Sequence, residues 1–376
     1  MERMDKLRKA LAVGAAVAGG AVTLALGLRE LKRTQLRYAD AILDPEGIEW
    51  SGFVDVRGTR QWLLVRGRRR TNEVVLFLHG GPGSPLTGLA GTQYQGALEE
   101  RFVVVHWEQR GAGKSYRAGR SRPLTLESYI EDALAVTDQL RDAFGKEKIF
   151  LVGHSHGGLL GAHLAARAPE RYHALLAVAP LVDASRQEQI SAAYVRDFYA
   201  RQGNVHAVTR IDRLGRPPYA DPYRAILTER RLLVGTPGFS GPGWPARRAV
   251  AELLASPHYG LRDLLETYRG FHRSLRQHFT PEYWSIDLKR THTRFEIPVF
   301  ILVGDEDRNT PTSLTREYFE RIQAPRKELV VVDGAGHMVP FEAPARFSAE
   351  VIRLFADTVR TGETVRRRGS SSETTC

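Results

Sequence analysis

Short apolar runs punctuate this chain at intervals, and longer stretches with helical spacing lie between them. Residues 48–65 alternate apolar and polar side chains around Arg57-Gly58-Thr59, the pattern of an antiparallel hairpin at a sheet edge. Runs at 74–78, 103–107, 149–152, 175–178, 299–303 and 329–332 are apolar throughout apart from His106, as expected of strands buried on both faces. Between two of them, Thr125 is placed to cap a helix in which Leu126, Tyr129, Ile130, Ala133, Leu134, Thr137 and Leu140 share one face, and Gly145 is placed to end it. The alternation predicts a mostly parallel central sheet covered by helices on both faces. Over residues 181–290 the strand pattern stops. Helical spacing replaces it, broken at Gly215-Arg216-Pro217-Pro218 and Gly235-Thr236-Pro237-Gly238, which predicts a helical insertion roofing one edge of the sheet. The sheet pattern resumes near Phe295 and closes in a helix over about 345–360.

Both ends depart from this pattern. Ala10 to Leu28 carries no charge and is rich in Ala, Val, Leu and Gly, near the roughly 20 residues that span a bilayer. Basic residues frame it, with Lys9 before and Arg29, Lys32, Arg33 and Arg37 after. The expectation is a membrane anchor or signal segment over residues 1–37, with membrane association through residues 10–28 and localisation at a membrane. Secretion is the alternative, with Ala25-Leu26-Gly27 as a small-x-small cleavage site. Residues 361–376 are polar and charged, hence expected to be disordered. The remaining divisions are a first core part at 38–180, the helical cap at 181–290 and a second core part at 291–360.

Composition narrows the function classes. A length of 376 residues with 42% hydrophobic content suits one large domain with an insertion. The net charge of +11 invites a nucleic-acid partner, but no recognition motif or interleaved aromatic platform accompanies the basic patches, so none is expected. The single cysteine, Cys376, excludes an intramolecular disulfide and a cysteine-based metal site. No nucleotide loop or metal-ligand cluster stands out, so no cofactor or metal is expected.

The candidate chemistry lies at the ends of the apolar runs. Gly153-His154-Ser155-His156-Gly157 follows the run at 149–152 and precedes an alanine-rich helical stretch, the strand-turn-helix context of a nucleophile elbow. A serine hydroxyl needs an imidazole to take its proton and a carboxylate to orient that imidazole. The strand at 299–303 leads into Gly304-Asp305-Glu306-Asp307, and the strand at 329–332 leads into Asp333-Gly334-Ala335-Gly336-His337. The expected triad is Ser155, Asp307 and His337, with Asp305 and Glu306 competing for the acid position. The chain order Ser, Asp, His is that of an α/β-hydrolase. Serine at 155 argues against epoxide or haloalkane hydrolysis, which uses an aspartate nucleophile on the same fold. His154 and His156 flank the serine on so sharp a turn that they read as pocket or packing residues. Oxyanion donors are expected from the amide of His156 and from the loop His79-Gly80-Gly81-Pro82-Gly83, with Gly81 preferred and Gly80 next.

That loop, followed by Trp107-Glu108-Gln109-Arg110-Gly111-Ala112-Gly113-Lys114-Ser115 and the elbow, resembles the proline iminopeptidase family of α/β-hydrolases over most of the chain. Glu108 departs from the aspartate usual at that point of the motif. The resemblance implies the α/β-hydrolase fold and a serine hydrolase that acts through an acyl-enzyme. Its substrate would be a peptide losing its N-terminal residue, or a small amide or ester as in a carboxylesterase or lipase. A non-catalytic ligand-binding protein on the same fold is the alternative from another class. Family members recognise a free ammonium with acidic residues, partly from the cap. Glu188, Glu229, Glu252 and Glu266 are the candidates here, and Glu188, just beyond the strand that follows the elbow helix, comes first.

Overall fold

The computed structural model describes residues 2–90, 94–119, 123–241 and 243–370. Eight strands form one sheet: β1 (Ile48–Val56), β2 (Thr59–Gly67), β3 (Glu73–Leu78), β4 (Phe102–Glu108), β5 (Ile149–His154), β6 (Tyr172–Val178), β7 (Val299–Gly304) and β8 (Lys327–Val332). Their order is β1-β2-β4-β3-β5-β6-β7-β8. The β1–β2 and β2–β4 pairs are antiparallel and all later pairs parallel. Arg57 and Gly58 both have positive φ, 53° and 75°, and such a two-residue turn matches the twist of the hairpin it joins.

The apolar runs of β3 to β7 are buried on both faces because helices cover both, while the run in the edge strand β8 is buried on one face and half-buried on the other. The helix Leu126–Phe144 starts at Thr125, whose side chain accepts from the Ser128 amide, and stops at Gly145 in the left-handed conformation. It packs with the elbow helix, His156–Arg167, in the core on one face. On the other face, Phe347, Val351, Leu354 and Phe355 of the closing helix share one side, and Phe355 stacks on Phe150 at 4.2 Å between ring centres. That closing helix spans Pro344–Ser370, so residues 361–370 are helical where the polar composition predicts disorder. Residues 371–376 of the expected tail lie outside the described residues.

Between β6 and β7 the chain forms the helices Ala184–Arg201, Val205–Asp212, Pro222–Leu233, Ala246–Ala255 and Leu261–His278. The last of these packs directly on the loop after β4: a methyl group added at Gly270 would sit 2.4 Å from the Gly111 carbonyl oxygen.

The amino-terminal segment leaves one expectation without support. Glu2–Ala39 is one helix of 38 residues, and among the described residues no helix is long and apolar enough to cross a membrane. The anchor over residues 10–28 therefore finds no support, and the amino half of that stretch lies where side chains are outside the described set. The arginines expected to flank a membrane span do something else. Arg29, Arg33 and Arg37 lie four residues apart on one helix face. Arg29 donates to the carbonyls of Leu254 (2.8 Å) and Tyr259 (2.8 Å), Arg33 to that of Ser256 (2.9 Å), and Arg37 to that of Pro257 (3.2 Å). They fasten the helix to the insertion through the turn after Ala246–Ala255.

Candidate active site

All three catalytic candidates sit at the carboxyl ends of parallel strands. Ser155 follows β5 directly, at φ 57° and ψ −117°, a conformation that costs a non-glycine residue energy and pushes its side chain off the sheet. The turn leaves no room for side chains at its glycines: a methyl at Gly157 would lie 2.0 Å from the Leu78 carbonyl oxygen, and one at Gly153 would lie 2.2 Å from that of Gly157. This close packing of β3, β5 and the elbow helix is the physical reason for the Gly-x-Ser-x-Gly spelling.

Asp307 follows β7 and is completely buried. Its Oδ1 accepts from the amides of Asn309 (2.8 Å) and Thr310 (2.9 Å), and its Oδ2 lies 2.9 Å from His337 Nδ1. The competing acids are engaged elsewhere. Asp305 accepts from the Gly334 amide at 2.7 Å, and Glu306 pairs with Arg308 at 3.1 Å. His337, on the loop after β8, lines the same cavity as Ser155. Sequence reading missed Thr310, whose hydroxyl lies 2.8 Å from Asp307 Oδ2, 3.1 Å from His337 Nδ1 and 3.0 Å from the Ala179 carbonyl. Its place three residues after the aspartate, where a hydroxyl can turn back on the carboxylate, was the available signal.

The flanking histidines also line the cavity. His154 Nε2 lies 3.0 Å from the His337 carbonyl oxygen, which can only accept, so that nitrogen carries the proton. Burial, then the neighbouring His337, holds the His154 imidazolium down to about 3. His156 Nε2 lies 2.7 Å from His278 Nε2 of the insertion. Burial above all keeps both neutral, with His278 at about 4, so one ring donates and the other accepts.

The loop after β3 lies against the serine. A methyl at Gly80 would stand 2.9 Å from Ser155 Cβ, and Gly81 has φ 112°, in the region that favours glycine. His79 holds this loop: its Nε2 accepts from the Gln109 amide (3.1 Å), so the proton is on Nδ1, which donates to the Gly80 carbonyl (2.9 Å). Burial lowers the His79 imidazolium to about 4, which keeps that tautomer neutral. His156 occupies the first position of the elbow helix, where an amide has no partner within the helix.

Glu108 is buried beside this loop, accepting from Tyr259 Oη (2.7 Å) in the insertion and from the Lys114 amide (2.5 Å). Burial pushes its carboxyl up to about 7, opposed by those hydrogen bonds. Since the folded value exceeds the unfolded one, folding favours the protonated form. That contribution is complete below the unfolded value, near 4.5, and is lost as pH rises through about 7. Between about pH 5 and pH 8, wild type is expected to lose about 2 to 3 kcal/mol of unfolding free energy relative to Glu108→Gln in denaturant titrations. A difference that is flat with pH would refute this assignment.

The cavity measures about 250 Å³. Its wall is largely apolar, with Leu86, Leu181, Ile226, Leu227, Phe271 and Leu275 among the contributors. Glu188, the first candidate for binding an ammonium, is fully buried and hydrogen-bonded to Arg230, Gln187 and Tyr283. Of the other cap acids, Glu229 shares Arg230, Glu266 meets Arg117 and Arg262, and Glu252 pairs with Arg248.

Strand order, elbow and loops together define an α/β-hydrolase. The model of the Alpha/beta hydrolase family matches residues 75–350, and the chain belongs to that family. It is 26% identical over 303 residues to the probable aminopeptidase YbaC of Bacillus subtilis (strain 168), covering 80% of this chain and 94% of that one. Over 138 residues it is 30% identical to the proline iminopeptidase of Heyndrickxia coagulans, covering 37% of this chain and 46% of the relative. The crystal structure of the proline iminopeptidase of Mycobacterium smegmatis superposes with a TM-score of 0.59 at 18% identity, covering 83% of this chain and all of that one, and so shares the fold. The chain is a hydrolase that resembles the proline iminopeptidases.

Proposed function

We propose that this hydrolase cleaves small amides or esters through an acyl-enzyme on Ser155. In this reading the Ser155 hydroxyl attacks the substrate carbonyl while His337 Nε2 takes its proton. Asp307 holds the Nδ1 proton and stabilises the imidazolium. The amides of His156 and Gly81, with Gly80 next, receive the negative oxygen. Collapse breaks the bond to the leaving group, which takes the proton from His337, and water then repeats the sequence to release the acid. The observation that carries the reading is the 2.9 Å contact of a fully buried Asp307 with His337, which lines the same cavity as the strained elbow serine.

The acyl group is small, because pockets for drug-sized ligands run to about 300–1,000 Å³ and this one is below that range. Release of an N-terminal residue, the reaction in the relatives' names, would require that the cavity accept an α-ammonium. A fluorophosphonate probe is expected to add one phosphonyl group at Ser155, located by peptide mass mapping. A folded protein left unmodified, or modified at another residue, would end the assignment.

A further inference from the structure

We infer that Arg230 sets the substrate class of this cavity, excluding an α-ammonium and selecting acyl groups with no charge beside the carbonyl. The inference rests on the acyl-enzyme reading above and says which acyl groups it takes.

The helix Pro222–Leu233 presents Glu229 and Arg230 in succession. Arg230 donates through Nη1 to Glu229 Oε1 at 2.7 Å and through Nη2 to Glu188 Oε1 at 2.6 Å. Tyr283 Oη and Gln187 Nε2 donate to the same Glu188 oxygen, at 2.9 and 3.0 Å. Both carboxylates are completely buried, whereas the Arg230 side chain retains 19% exposure and lines the cavity with Gln187 and Tyr283. From the cavity outward, the guanidinium therefore comes first and the acids stand behind it. Among the described residues of the wall, Arg230 is the one with a permanent charge.

Neither Glu188 nor Glu229 lines the cavity. Glu188 Oε2 and Glu229 Oε2 have no hydrogen-bond partner, a costly state for two buried anions. Burial raises the Glu229 carboxyl well above the usual range, with Arg230 opposing and Glu188 adding to it. Each acid spends an oxygen on the Arg230 guanidinium, which stands between them and the cavity. An ammonium entering this wall meets a like charge in a dry site, and such a repulsive element discriminates more sharply than a missing contact. An uncharged acyl group of the same shape rests on Ile226, Phe271 and Leu275 without that penalty.

A matched pair of p-nitrophenyl esters tests this: cyclopentanecarboxylate and prolinate have the same ring, with a methylene in one where the other has the ammonium. With the uncatalysed rates subtracted, wild type is expected to favour the cyclopentane ester by about 100-fold in kcat/KM. Arg230→Met should lower that ratio at least about tenfold, because it removes the like charge. Should the unpaired acids left in Arg230→Met prevent folding, the double variant Glu188→Gln/Arg230→Gln is expected to lower the ratio as well. Fluorophosphonate labelling of each variant reports an intact site. A labelled wild type that prefers the prolyl ester, or a ratio unmoved in both variants, overturns the role of Arg230 alone. Absence of labelling and of turnover for both esters overturns the acyl-enzyme reading beneath it.

Discussion

Ser155→Ala is expected to lower kcat on a p-nitrophenyl ester by about a millionfold, the scale seen when the nucleophile of a serine hydrolase is removed. The variant should unfold at the wild-type temperature, because alanine needs the same left-handed backbone as serine and the turn is set by its glycines and by β3 rather than by the hydroxyl. Activity that remains would come from the oxyanion amides and from substrate binding alone. Stopped assays at high enzyme concentration, with wild-type contamination excluded by mass spectrometry, measure the residue. A variant that keeps more than a few percent of wild-type turnover would show that the hydroxyl is not the nucleophile.

Such a test could be framed from the sequence because the elements that position Ser155 are locally encoded. The run at 149–152 has no polar position and, with the glycine turn after it, reads as a strand buried on both faces. The glycines after it are spaced for a turn whose tightness is now seen in the 2.0 Å approach at Gly157. The same holds for Asp307 and His337, each a few residues beyond a continuous apolar run. Periodicity also fixed the helix Leu126–Phe144 with both its ends. What the sequence concealed depends on partners far along the chain. Arg29, Arg33 and Arg37 read as charges around a membrane span because their acceptors are backbone carbonyls more than 200 residues away, which no side-chain pattern reveals. Glu188 read as the first candidate to bind a substrate ammonium. Its burial comes from packing of Pro222–Leu233 and Tyr283 around it, and the same packing turns Arg230 inward. The choice among Asp305, Glu306 and Asp307 was likewise beyond spacing, since the three differ only in which way the turn after β7 aims them.

That turn makes Asp307→Asn the more discriminating experiment, with an expected loss of about 10,000-fold in kcat and little change in stability. The amides of Asn309 and Thr310 both donate to Oδ1, so an asparagine keeps its oxygen there and places its amide nitrogen where Oδ2 stood. Facing an N–H, His337 Nδ1 must become the acceptor, and the ring proton moves to Nε2, which can then no longer take the serine proton. Thr310 accommodates the change by accepting from the new amide while donating to the Ala179 carbonyl at 3.0 Å, so no buried polar group is stranded. The loss should shrink as pH rises, because hydroxide can remove the serine proton in place of the imidazole. Asp305→Asn is the matched control: its carboxylate caps the Gly334 amide, a contact the asparagine oxygen retains, and kcat should remain within about threefold of wild type. If Asp305→Asn were the damaging change and Asp307→Asn the mild one, the acid of the triad would be the wrong residue. Equal and severe losses in both would point to a collapsed turn, which the melting temperatures of the two variants would reveal.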